Sequence, residues 1–117
     1  MKPINAEDVQ RLIEEYAEKD LYLHLETTNG AYASHFDQSF FSASAYIRNA
    51  NVQYKQGKIR GDGPYRVGLE LPIGWIYGEG LTHYEVNQNG QFILAGLNQD
   101  GKIAVTLELS EQPFQYD

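Results

Sequence analysis

The chain has 117 residues, a net charge of −7 and no cysteine. That length suits one domain with one real core, and 42% hydrophobic residues give an ordinary globular composition rather than a disordered one. The acidic balance argues against general nucleic-acid binding and against an anionic membrane, and the missing cysteines exclude disulfides, thiolate zinc sites, iron–sulfur clusters and cysteine catalysis.

The first residues turn acidic at Glu7 and Asp8, with no apolar stretch of the signal-peptide kind. No apolar run approaches a membrane span. The expectation is a cytoplasmic protein. Residues 1–20 predict a helix. Asn5 is a good N-cap, Ile4 and Val9 stand at the positions of a hydrophobic staple, and Glu7 and Asp8 suit the positive end of the dipole. Val9, Leu12, Ile13, Tyr16 and Ala17 form one apolar stripe at helical spacing, fit to cover a sheet.

After Asp20 the period changes from helical to two. Leu21, Leu23, Leu25 and Thr27 face one way; Tyr22, His24, Glu26 and Thr28 face the other. Asn29-Gly30 is a type I′ turn signal, because both central residues must take positive φ. A two-residue turn there sets His24 opposite His35 and Glu26 opposite Ala33. Further turns are expected at Gln56-Gly57, Asp62-Gly63, Asn89-Gly90 and Asp100-Gly101. Strands are expected between them, over 44–54, 58–61, 65–71, 75–78, 81–87, 91–97 and 102–109. Pro72 and Pro113 mark bends or strand ends. The expected fold is mainly β: an N-terminal helix within 1–20 packed on a β-sandwich or pseudo-barrel of short antiparallel strands over 21–117, in a single domain 1–117.

Three constellations could carry chemistry. Imidazoles of His24 and His35 on facing strands could converge on a metal ion, with Glu26 adding an oxygen. His83 and Glu85 repeat the His-x-Glu spacing, so all three histidines would meet if the strands approach. The plain alternative is a half-exposed sheet face where histidines pair with carboxylates. The second constellation is basic: Arg48, Lys55, Lys58, Arg60 and Arg66 lie in one stretch of an acidic chain. Arg48 and Arg66, beside tyrosines such as Tyr65, could hold a carboxylate or phosphate. Alternatively these charges face solvent, the acidic helix or a second copy. The third is Gly74-Trp75-Ile76-Tyr77-Gly78-Glu79-Gly80, which holds the only tryptophan. Glycines around aromatics permit either a ligand platform at Trp75 or core packing at a barrel corner, the favoured expectation. Nine tyrosines also suit an interface. There is no Gly-x-Ser-x-Gly elbow, no P-loop and no Gly-x-Gly-x-x-Gly. No cofactor is signalled, and no carboxylate pair stands out as an acid/base dyad.

The segments His24–His35, Ala45–Ala50, Gly63–Leu71 and Gly74–His83 together resemble the YojF-type family of small uncharacterised Bacillus proteins, over almost the whole chain. The resemblance implies a β pseudo-barrel of two sheets joined by short turns. It implies no activity that transfers residue by residue. It also implies a gene neighbourhood with a zinc-dependent, LmbE-like deacetylase linked to bacillithiol synthesis. The functional expectation is a non-catalytic binding or accessory protein, a homodimer, serving a neighbouring metabolic enzyme. The alternatives are a metal-binding protein or metal-dependent enzyme using His24, His35, His83 and Glu26, and a small anion-binding module using Arg48 and Arg66.

Overall fold

A computed structural model describes residues 1–28 and 45–116. The elements run β1 (Lys2–Pro3), α1 (Ala6–Tyr16), β2 (Leu21–Thr27), β3 (Tyr46–Val52), β4 (Gln56–Arg60), β5 (Tyr65–Glu70), β6 (Trp75–Leu81), β7 (His83–Val86), β8 (Phe92–Leu97) and β9 (Ile103–Ser110). They build two antiparallel sheets: a six-stranded one in the order β1-β7-β8-β9-β2-β3 and a three-stranded one in the order β4-β5-β6. The sheets enclose the core as a sandwich, and they do not close into a barrel among the described residues.

α1 begins as its residues dictate. The Asn5 side chain accepts from the Asp8 amide at 3.1 Å, and Glu7 and Asp8 fill the acidic first turn. Val9 and Ile13 are fully buried, with Leu12, Tyr16 and Ala17 packed at the margin; each of the two buried side chains contributes about 1.5–3 kcal/mol. The helix is shorter than expected. It stops at Tyr16, and Glu18 takes φ 65° so that its amide can donate to the Tyr54 carbonyl.

Three tyrosine hydroxyls tie the helix to the β-structure. Tyr54 donates to Ile13 O at 2.5 Å, Tyr84 to Asp8 at 3.2 Å and Tyr16 to Gly90 O at 2.8 Å. Burial pushes the Tyr54 hydroxyl far above its ordinary pKa, so it acts only as a neutral donor. Gln10 does the work of a neighbouring strand. Its amide accepts from the Ile59 N–H and donates to the Gly57 carbonyl, both at 3.0 Å, and so closes the open edge of β4.

Three expectations are corrected. Gln56-Gly57 is no turn. Gly57 lies inside β4, where a Cβ would stand 2.7 Å from Ile13 and 2.8 Å from Leu69; glycine is needed there for close approach. Trp75 is not core; the inward residues of β6 are Ile76 and Gly78, and Trp75 stays 46% exposed. His24 does not face a strand returning from a tight hairpin, because both of its cross-strand places are taken, by Arg48 of β3 and Glu108 of β9. The Asn29-Gly30 turn and His35 lie outside the described residues.

Candidate functional site

The outer face of the six-stranded sheet carries the densest polar cluster. Period two sends Leu21 and Leu23 into the core and Tyr22, His24 and Glu26 outward. β2 lies between β3 and β9, so its outward residues meet those of both neighbours. The His24 rung continues to Arg48 and Glu108, and the Glu26 rung to Tyr46 and Thr106.

A β-bulge shapes one side of this cluster. Leu23 pairs with Ala50 but His24 with Arg48, so Asn49 is the extra residue, at φ 59°. Asparagine tolerates that left-handed conformation better than most residues. The bulge turns the Asn49 amide toward the segment after β9. Its oxygen accepts from the Phe114 N–H at 2.7 Å and its nitrogen donates to the Phe114 carbonyl at 2.8 Å. Phe114 is thereby held over the cluster, with its ring centroid 6.0 Å from that of His24 and 5.1 Å from the Arg48 guanidinium carbon.

His24 is buried and fully engaged. Arg48 Nη1 lies 3.1 Å from His24 Nδ1, while Arg48 Nη2 donates a short hydrogen bond to the Gln115 carbonyl. An arginine can only donate, so Nδ1 must accept and the ring hydrogen sits on Nε2. Nε2 in turn faces Glu26 Oε1 at 3.2 Å, with Glu108 Oε2 farther off at 3.9 Å. Neither ring nitrogen presents a free lone pair in this arrangement, and a cation placed at Nδ1 would meet the guanidinium. Glu108 is the unsettled member. Burial holds its carboxyl above the ordinary glutamate range; His24 and Arg48 pull it back down, and Glu26 pushes it up again. Its neighbour two residues along, Thr106, has a buried hydroxyl with no hydrogen-bond partner among the described residues.

The remaining sequence-predicted residues are dispersed. His83 shares a rung with Glu26, but through Ala95 and Thr106, three strand spacings away or about 14 Å. Its Nδ1 contacts the Thr82 hydroxyl at 2.8 Å. Among the described residues no group of three or more His, Cys, Asp or Glu side chains is placed to hold a metal ion. Arg66 is on the other sheet from Arg48, so the two guanidinium groups build no common site. Tyr65 is half-buried against the core, a bulge apart from Arg66. A cavity of about 760 Å³ lies elsewhere, with Thr28, Gly80, Thr82, Asn98 and Asp100 in its wall, away from the His24 cluster.

Arg66 and Trp75 do come together, on the outer face of the three-stranded sheet. Trp75, Tyr77 and Glu79 alternate outward along β6. The Trp75 and Tyr77 rings are parallel within 8°, with centroids 5.8 Å apart. The Arg66 guanidinium lies 5.2 Å from the Tyr77 centroid, and Arg66 Nε donates to Glu79 at 2.7 Å. Gly68 makes room for this stack: a Cβ there would stand 2.8 Å from the Tyr77 ring. Tyr77 is 49% exposed, and Ile73, in the turn before β6, is 94% exposed.

Sequence reasoning missed Glu108, Asn49, Phe114 and Thr106. Glu108 and Thr106 were visible as outward positions of an alternating run, but their partner strand was not. Nothing local marks Asn49 as a bulge.

Residues 3–114 match the family described as protein of unknown function (DUF1806). The chain is 51% identical over 114 residues to the uncharacterised protein YojF of Bacillus subtilis (strain 168), covering 97% of this chain and 98% of that one. The crystal structure of Bacillus subtilis YojF protein superposes with a TM-score of 0.81 at 48% identity, over 98% of this chain and 97% of the other.

Proposed function

The chain belongs to the DUF1806 family, and on that footing we propose that it is a non-catalytic binding or accessory protein whose contact surface is the outer face of the three-stranded sheet. The observation that carries this reading is the Glu79–Arg66–Tyr77–Trp75 stack. Large aromatic side chains are costly to leave in water, yet here two of them are held half-exposed in a fixed order, and Ile73 in the turn before β6 is exposed as well. Exposed aromatic and arginine side chains of this kind are the anchors of protein interfaces. The His24 cluster supports the same reading from the other side. Its imidazole is engaged at both nitrogens, by Arg48 and Glu26, and packs against Phe114 as part of the sheet's outer face.

A metabolic enzyme is the partner class this reading names. The gene neighbourhood implied by the family resemblance makes an LmbE-like deacetylase of bacillithiol metabolism the first to try. Trp75 is the only tryptophan, so its emission reports directly on the proposed surface. Titration with such an enzyme, itself made tryptophan-free, is expected to shift the emission to the blue, and Tyr77→Ala to weaken binding about tenfold or more, as for an interface anchor. Turnover of substrate by the purified chain alone would sink the reading.

A further inference from the structure

We propose that the outer face of the three-stranded sheet docks a second copy of this chain across a two-fold axis running along β5; this rests on the reading of that face as a contact surface. The register lays the face out in three rungs: Gln56, Glu70, Trp75; then Lys58, Gly68, Tyr77; then Arg60, Arg66, Glu79. The central column is already engaged. Arg66 is paired with Glu79, and Glu70 accepts from Gln56 at 2.7 Å with Lys55 at 4.0 Å. Lys58 and Arg60 on the β4 column have no ion pair among the described residues, although Glu7 and Glu14 of α1 border the same groove.

A two-fold axis along β5 lays β4 of one copy over β6 of the other and keeps each rung over itself. Arg60 then stands over the partner's Glu79, Lys58 over the partner's Tyr77 and Gln56 over the partner's Trp75, each contact occurring twice. The unpaired cations of one edge column thus meet the carboxylate and aromatic rings of the other. On the axis itself Arg66 and Glu70 of β5 stand over their own copies, and these like-charge contacts oppose the association.

The area sets the strength. Three strands by five paired residues cover about 15 Å by 17 Å, well under the roughly 800 Å² per partner of a stable interface. The dimer is therefore weak and concentration-dependent. It is tested by sedimentation velocity of the full chain from roughly 5 µM to 1 mM, the range suited to a small interface. A monomer–dimer equilibrium is expected. Arg60→Glu should weaken it about tenfold, since it turns two opposed pairs repulsive, and Arg60→Glu with Glu79→Arg should bring it back toward the parent value. A chain that stays monomeric throughout overturns the proposal. So does a dimer indifferent to Arg60→Glu, or one that the double substitution fails to restore. Trp75 emission separates the two readings. A shift with an enzyme partner but none on dilution ends the dimer while the contact surface stands; no shift with either ends both.

Discussion

The Glu108 carboxyl sits half-buried across from His24, whose Nε2 is 3.9 Å from it and 3.2 Å from Glu26. Because its folded-state pKa is raised by burial, the folded chain holds that proton more tightly than the unfolded one. Its contribution to stability is full below the ordinary glutamate value and is lost as pH rises through the raised value. Replacing the carboxylate by an amide, Glu108→Gln, should therefore stabilise the fold at pH 8 and do little at pH 4. The gain is no more than about 1 kcal/mol, because the group is still partly solvated. Thermal unfolding at the two pH values reads this directly, and a lower midpoint at pH 8 would refute it. His24 and Glu26 were recognisable as candidates in the sequence because period two puts both outward, and Arg48 because it lies in the basic stretch of an acidic chain. Their association was not recognisable, because it depends on β2 lying between β3 and β9 and on the bulge at Asn49.

α1 shows how far one element can be read alone. Its cap, its acidic first turn and its apolar stripe follow from local spacing, and Val9 and Ile13 are buried as that stripe requires. Gln10 belongs to a different class. It reads as a polar residue beside the stripe, yet its amide closes the edge of β4 through Ile59 and Gly57. Losing both hydrogen bonds in Gln10→Ala should cost about 1–2 kcal/mol. The Ile59 amide should then exchange with solvent markedly faster, while the helix amides slow or hold. Exchange unchanged at Ile59 would show that solvent or another group already satisfies that edge. The ends of elements were the least legible feature. α1 stops at Tyr16 because of the Glu18 contact with Tyr54, a residue 36 positions further on in the chain. The Gln56-Gly57 pair looked like a turn because glycine in a strand carries the same local signal as glycine in a turn.

The sandwich closes where β6 passes over β8 and β9, and glycines govern that joint. Gly78 of β6 faces Leu107, where a Cβ would stand 3.1 Å from the side chain, and a Cβ on Gly96 of β8 would strike the Gly80 carbonyl and Val105. Gly96→Ala should thus force the two sheets apart and cost about 1–3 kcal/mol or more. The thermal midpoint should fall by roughly 4 °C for each kcal/mol at this chain length. A midpoint within about 1 °C of the parent would mean that the joint has slack. By itself the sequence settled what depends on neighbours along the chain. The β class, the capped helix, the turns at Asn89-Gly90 and Asp100-Gly101 and the inward leucines all follow from period and turn chemistry. Which strands lie side by side rests on contacts far apart in sequence, and no local pattern encodes them. That ordering brings Arg48 to His24, carries His83 about 14 Å away from Glu26, and leaves Trp75 on a surface instead of in the core.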